Sequence, residues 1–103
     1  MKPVISDITL TPNPVAPGAK VKGTCRVTDE GGDLKGVELL DPRGWVLKLY
    51  DDGTHGDEVA GDGIYTLEET VPYDAPPGTY TLTIRAYDEQ GNYTYQTAIL
   101  RIG

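Results

Sequence analysis

Apolar residues recur at every second position through most of the chain and stop at clusters of proline, glycine and aspartate. That period belongs to strands with one solvated face, and no 3.6-residue repeat develops anywhere. The clearest run is Thr79–Asp88, where Tyr80, Leu82, Ile84 and Ala86 are predicted inward and Thr79, Thr81, Thr83, Arg85 and Tyr87 outward. Lys20–Thr28 alternates as strictly, Val21, Gly23, Cys25 and Val27 against Lys22, Thr24, Arg26 and Thr28. Five less regular segments complete the set: Val4–Thr11 with Ile8 and Leu10 on one face, Leu34–Leu40, Trp45–Tyr50, Ile64–Val71 and Asn92–Ile102. In Trp45–Tyr50 a large aromatic stands on each face, Trp45 with Leu47 and Leu49, Tyr50 with Val46 and Lys48, and the pattern leaves the buried side open.

Turn residues separate these segments. Pro12-Asn13-Pro14, Ala16-Pro17-Gly18, Asp29-Glu30-Gly31-Gly32-Asp33, Asp41-Pro42-Arg43-Gly44 and Asp88-Glu89-Gln90-Gly91 are connections, and Pro72–Pro77 is a crossover that cannot supply a central ladder. The expected fold is all-β, an immunoglobulin-like β-sandwich of about seven antiparallel strands in two sheets, with residues 1–103 forming a single domain.

Composition adds three constraints. There is no Phe, so aromatic packing falls to seven tyrosines and Trp45, whose polar tips need partners or water. Cys25 is alone, so no internal disulfide staples the sheets, and its inward position makes it a small buried hydrophobe. A net charge of −7 disfavours nucleic acid and anionic membrane surfaces, both of which require clustered Lys and Arg. No apolar run is long enough for a membrane span, and Met1-Lys2-Pro3 leads into a strand without the apolar core of a signal peptide. The chain reads as a domain excised from a longer protein with a start methionine added.

The run Pro77-Gly78-Thr79-Tyr80-Thr81-Leu82-Thr83-Ile84-Arg85-Ala86-Tyr87-Asp88, followed by Gly91-Asn92, resembles the last two strands of bacterial extracellular immunoglobulin-like and fibronectin type III-like modules. Pro14–Gly18 and the step from Gly32-Asp33-Leu34 to Val37 are similar to the same modules, so the likeness spans nearly the whole chain. More specific is Asp51-Asp52-Gly53-Thr54-His55-Gly56-Asp57-Glu58-Val59-Ala60-Gly61-Asp62-Gly63-Ile64-Tyr65-Thr66, which resembles a loop signature in a subset of such modules. The resemblance implies an accessory role beside other domains of a secreted or surface-anchored bacterial protein. It also implies a tyrosine corner, in which the Tyr80 hydroxyl ties back to nearby backbone.

The interval between Lys48 and Arg85 holds no Lys or Arg but eight of the sixteen carboxylates, five of them in the 51–65 loop. Hard oxygens, crowded negative charge and glycines that turn carbonyls inward are what Ca2+ requires for its six to eight ligands. Asp52, Asp57 and Asp62 recur every five residues beside glycines, with Asp51 and Glu58 adjacent, although the spacing is not that of an EF-hand or a nonapeptide repeat. The competing reading gives the same aspartates to tight turns, each accepting from its own backbone, and under both readings the loop is ordered. His55 without a second nitrogen ligand or a cysteine nearby is a weak zinc donor and is expected at the loop surface.

One His, one inward Cys and carboxylates abutting in a turn offer no nucleophile-base pair, so catalysis is not expected. The leading expectation is a structural or spacer module, monomeric, extracellular or at the cell surface, Ca2+-stabilised at the 51–65 loop and partnered by neighbouring domains of its chain. The alternative is a carbohydrate- or protein-binding (adhesion) module presenting Trp45, Tyr50, Tyr93 and Tyr95 as a platform. Lys22, Arg26, Arg85 and Arg101 place charge on several strands and discourage pairing of open edges.

Overall fold

The computed structural model describes residues 3–42, 46–51 and 63–103. Its strands are β1 (Val4–Thr11), β2 (Lys20–Thr28), β3 (Leu34–Leu40), β4 (Val46–Lys48), β5 (Ile64–Thr70), β6 (Gly78–Asp88) and β7 (Tyr93–Ile102). They form two antiparallel sheets, β1-β2-β5 and β4-β3-β6-β7, facing one another as an immunoglobulin-like β-sandwich. No helix among the described residues is long and apolar enough to cross a membrane.

The inner faces follow from the alternation. In β2, Cys25 and Val27 are buried with Val21 and Gly23 partly so; in β6, Leu82, Ile84 and Ala86 are buried. Val37 and Leu39 of β3, Leu67 of β5 and Leu100 of β7 complete the core. Each such aliphatic side chain contributes roughly 1.5–3 kcal/mol by leaving water.

β1 keeps its inward face by changing parity. Between Ser6 and Thr9 it advances three residues while its partner moves only two, from Arg26 to Thr24, which is a β-bulge. The extra residue is Asp7, at φ 53°. Without it Ile5 would face away from Ile8 and Leu10; with it all three pack on the core.

Two crossings join the sheets. Beyond β1, Val15 N donates to the Arg101 carbonyl (2.9 Å) and Gly103 N to the Val15 carbonyl (3.1 Å), beside β7. Asn13 bridges the step, its side-chain amide donating to Ile99 O (3.0 Å) and its carbonyl accepting from Arg101 N (2.9 Å). At the second crossing Leu49 N still donates to Val37 O (2.9 Å), whereas Tyr50 exchanges both backbone hydrogen bonds with Thr66 of β5, at 2.9 and 2.8 Å. β4 therefore ends before the expected Tyr50, because the chain leaves one sheet for the other at Leu49–Tyr50. Leu49 is buried and Val46 about half exposed, so the Leu47/Leu49 side faces the core; Trp45 lies outside the described residues.

The tyrosine corner is present: Tyr80 Oη donates to the Pro76 carbonyl at 2.6 Å, holding the proline-rich crossover against the start of β6.

Candidate functional site

Antiparallel register gathers three connections at one end of the sandwich. Val4 faces Thr28, Arg26 faces Ile64 and Leu34 faces Asp88, so the β2–β3 turn, the start of β5 and the β6–β7 turn are neighbours. The acidic loop begins and finishes here as well, at Asp51 and Gly63.

Of the five residues expected to hold Ca2+, Asp52, Asp57, Glu58 and Asp62 lie outside the described residues. Asp51 is described, and its Oδ2 accepts from Gly63 N at 3.0 Å, across the base of the loop. Gly63 takes φ +81°, a conformation L side chains rarely adopt, and its carbonyl accepts from Val27 N at 3.0 Å. Closing the base of a loop on its own backbone is the behaviour of a self-capping aspartate. Burial, helped by the Asp51 charge, pushes the neighbouring Tyr65 hydroxyl above its ordinary pKa. His55 also lies outside the described residues.

A second carboxylate group stands at the same end. Asp29, Asp33 and Asp88 bring one oxygen each within 4.8 Å of one another. Asp29 Oδ1 accepts from Gly31 N (3.1 Å), and its carbonyl accepts from Gly32 N (3.0 Å), so the β2–β3 turn folds around its first residue. Asp29 Oδ2 is buried and receives no hydrogen bond. The Asp33 carbonyl accepts from Glu89 N at 3.0 Å, tying this turn to the β6–β7 turn.

Asp88 is only 3% exposed, and its carboxylate organises its turn: Oδ1 accepts from Gln90 N and Asn92 N and Oδ2 from the Asn92 side chain, each at 2.9 Å. Burial works to raise its pKa, but these donors from Asn92 and Gln90 outweigh burial and hold the carboxyl below its usual range. Asp33 goes the other way. Burial, a hydrogen bond shared with Asp29 and the charges of Asp29 and Asp88 push it up, against one backbone bond that lowers it. Three carboxylates this close are arranged either to share protons or to share a cation.

From sequence, Asp29 and Asp33 are turn residues, and Asp88 ends the Thr79–Asp88 strand and opens the following turn. Asp88 carried a signal nonetheless: it is the next inward position of β6 after Ala86, and a carboxylate on an inner face must find donors or a counterion.

Of the four residues expected to form an aromatic platform, Trp45 lies outside the described residues. Tyr50 sits where β4 ends, at the opposite edge of the four-stranded sheet from β7, with Lys48 Nζ 5.5 Å from its ring centroid. Tyr93 and Tyr95 do come together, joined by Tyr87. Successive ring centroids are 5.5 and 6.4 Å apart with interplanar angles of 21° and 16°, and Tyr93 and Tyr95 are about half exposed. Arg85 lies 5.7 Å from the Tyr93 centroid and holds Glu38 at 2.9 Å. Tyr87 faces Tyr93 across the β6–β7 pair, and Tyr95 follows two residues on, so strand pairing and pleat build the row.

No protein-family model matches the chain, and no curated protein matches it. Solved structures share its fold. The endo-beta-1,4-mannanase from Thermotoga petrophila superposes with a TM-score of 0.72 at 13% identity over 100% of this chain, which covers 20% of the enzyme. The PKD domain of an M14-like peptidase from Thermoplasmatales archaeon SCGC AB-540-F20 gives a TM-score of 0.65 at 19% identity, covering 98% of this chain and 92% of that one. A Niemann-Pick type C2 protein from Japanese carpenter ant gives 0.64 at 13% identity over 100% and 94%.

Proposed function

We propose that this chain is a non-catalytic structural or spacer module of a secreted or cell-surface bacterial multidomain protein, with Ca2+ stabilising its acidic end. The observation that carries the ion is the convergence of Asp29, Asp33 and Asp88, with one buried Asp29 oxygen that has no hydrogen-bond donor when the three carboxylates are ionised. A hard divalent cation satisfies that oxygen and offsets the mutual repulsion of the group; Asp29 and Asp33 would be the principal ligands, since both Asp88 oxygens already accept from its turn. The 51–65 loop, whose sequence holds Asp51, Asp52, Asp57, Glu58 and Asp62, leaves and rejoins the sandwich at this end through Asp51 and Gly63. The accessory role is supported by the fold's occurrence as a PKD domain of a peptidase and over one fifth of a mannanase chain. The absence of catalysis is supported by Cys25, whose thiol burial pushes up to about 12, far from a nucleophile's range.

The test is thermal unfolding with EDTA and with millimolar Ca2+, alongside calorimetric titration. A site occupied at about 100 times its Kd adds about 2.7 kcal/mol, seen as a higher Tm with Ca2+. Identical melts and no titration heat would remove the ion from this reading.

A second reading rests on the Tyr87-Tyr93-Tyr95 row: a binding module that stacks sugar rings or a protein edge against Tyr93 and Tyr95. Glycan-array binding lost on Tyr93→Ala, with Tm unchanged, would favour it over the spacer.

A further inference from the structure

Four strands stand at the edges of the two sheets, and three of them are protected. β1 is interrupted by its bulge at Asp7, β4 is three residues long, and β5 carries Glu68 and Glu69 and exchanges hydrogen bonds with Tyr50 at Thr66. β7 differs. It runs for ten residues, and from Tyr93 to Leu100 it holds no charge and no proline.

Its own chain covers only the second half of that edge. Arg101 N donates to the Asn13 side chain and Arg101 O accepts from Val15 N, so both point away from β6, and Ile99 O is taken by the Asn13 amide. Antiparallel ladders alternate, and the β6–β7 register runs without a shift from Gly78 and Ile102 to Tyr87 and Tyr93. The backbone N–H and C=O groups of Tyr93, Tyr95 and Thr97 therefore point the same way as those of Arg101. Among the described residues nothing bonds to them there. All three residues are exposed, and so is Gln96, although it pairs with buried Ile84 and stands on the inner face.

We infer that this edge pairs with the same edge of a second copy of the chain, β7 against β7 in antiparallel about a two-fold axis at Tyr95. The covered half fixes the register. With Ile99 and Arg101 engaged, the outward groups of the two copies match when Tyr95 faces its counterpart and Tyr93 faces Thr97 of the second copy. Those are aromatic–aromatic and aromatic–β-branched cross-strand pairs, which stabilise a sheet. Charge favours a like partner as well. Two chains of net charge −7 repel least along a strand that carries no charge, and a basic partner finds no carboxylate on it. Arg101, the charge expected to guard this strand, lies in the half that Val15 covers. The inference rests on the second reading in that it names a partner for the tyrosine row, and it does not involve Ca2+.

The test is sedimentation equilibrium. A short edge pairs weakly, so the chain should pass from monomer to dimer with a Kd on the order of 0.1 mM, tightening from low salt to about 0.3 M NaCl as repulsion between the copies is screened. Tyr95→Lys and Tyr95→Glu each set like charges opposite one another and should each stay monomeric, whereas their equimolar mixture should dimerise. Thr97→Pro removes one outward N–H without touching the β6 ladder or any tyrosine ring, and should raise the Kd at least about tenfold. Sugar stacking, by contrast, is lost on Tyr93→Ala and spared by Thr97→Pro, which keeps the two ideas separable. A monomer throughout up to about 1 mM, a dimer that survives Thr97→Pro, or a mixture of the two charged variants that stays monomeric would each overturn the proposal.

Discussion

Tyr87 lies across Gly36: a Cβ on Gly36 would meet the Tyr87 hydroxyl oxygen at 2.7 Å and ring atom Cζ at 2.9 Å. The two are register partners of β6 and β3, so the ring lies over the glycine while its other neighbour is Tyr93. Alanine is ordinarily better than glycine inside a strand by roughly 0.5–1 kcal/mol. Gly36→Ala should lose that gain in the native chain, because Tyr87 must move, and recover it in a Tyr87→Ala background. A double-mutant cycle from urea unfolding reads the difference, and equal effects in both backgrounds would show that the ring is not seated on Gly36.

The corner at Tyr80 predicts a simpler loss. Tyr80→Phe keeps the ring and removes the donor to Pro76 O, leaving that carbonyl to exposed crossover solvent. The expected cost is about 1 kcal/mol, or a Tm lower by roughly 4–8 °C for a domain of this size. An unchanged Tm would mean that the crossover is held by packing alone.

Much of the fold was legible because alternation is continuous where strands are long. β2 and β6 carry five or more alternating positions each, and burial alternates with the pattern from Leu82 to Asp88 in β6 and from Cys25 to Thr28 in β2. Where a single residue decides the geometry, the pattern is silent. Asp7 reverses the parity of β1, and Tyr50 trades one sheet for the other after a three-residue β4. The aspartate group was illegible for a related reason. Asp29, Asp33 and Asp88 belong to two turns far apart in sequence, and only the Leu34–Asp88 pairing brings them together. The tyrosine row was half legible: Tyr93 and Tyr95 share a strand face, but the ring that stacks on Tyr93 from the neighbouring strand is Tyr87 of β6.

The bulge at Asp7 has its own signature. Asp tolerates the left-handed region at a modest cost, and its ion pair with Arg26 (3.5 Å) is exposed and worth little. Asp7→Gly should therefore leave stability within about 0.5 kcal/mol, whereas Asp7→Val, branched at Cβ, should cost at least about 1–2 kcal/mol. Urea midpoints distinguish them; equal loss in both would point to the side chain and not the backbone.

Cys25 should be chemically silent in the folded chain. Burial raises its thiol from 9.0 to about 12, so the thiolate that reacts with disulfide reagents is scarce and sealed from them. The raised value means that its contribution to stability is fully present below pH 9 and lost as pH climbs toward 12. Labelling at pH 8 should proceed at the rate of unfolding and accelerate in urea. Labelling as fast as that of the denatured chain would contradict the burial.

The aspartate group titrates in two opposed senses, and that separates its protons from its proposed ion. Asp33 is raised in the fold, so its contribution is present below the ordinary carboxylate range and lost as pH rises through its own value. Asp88 is lowered, so its contribution is present above that range and lost as pH falls through its own value. In EDTA, the contribution of this pair to stability should therefore be greatest between the two values. Ca2+ requires deprotonated ligands, so the stabilisation it gives should grow as pH rises through the raised value of Asp33. Asp33→Asn should remove the Ca2+ response without lowering Tm in EDTA, since it deletes a repulsion. Asp88→Asn should lower Tm with or without Ca2+, because it disarms the turn that Gln90 and Asn92 close. Melting curves across pH in both buffers measure all four; a Ca2+ effect that survives Asp33→Asn would move the ion away from this group and into the 51–65 loop.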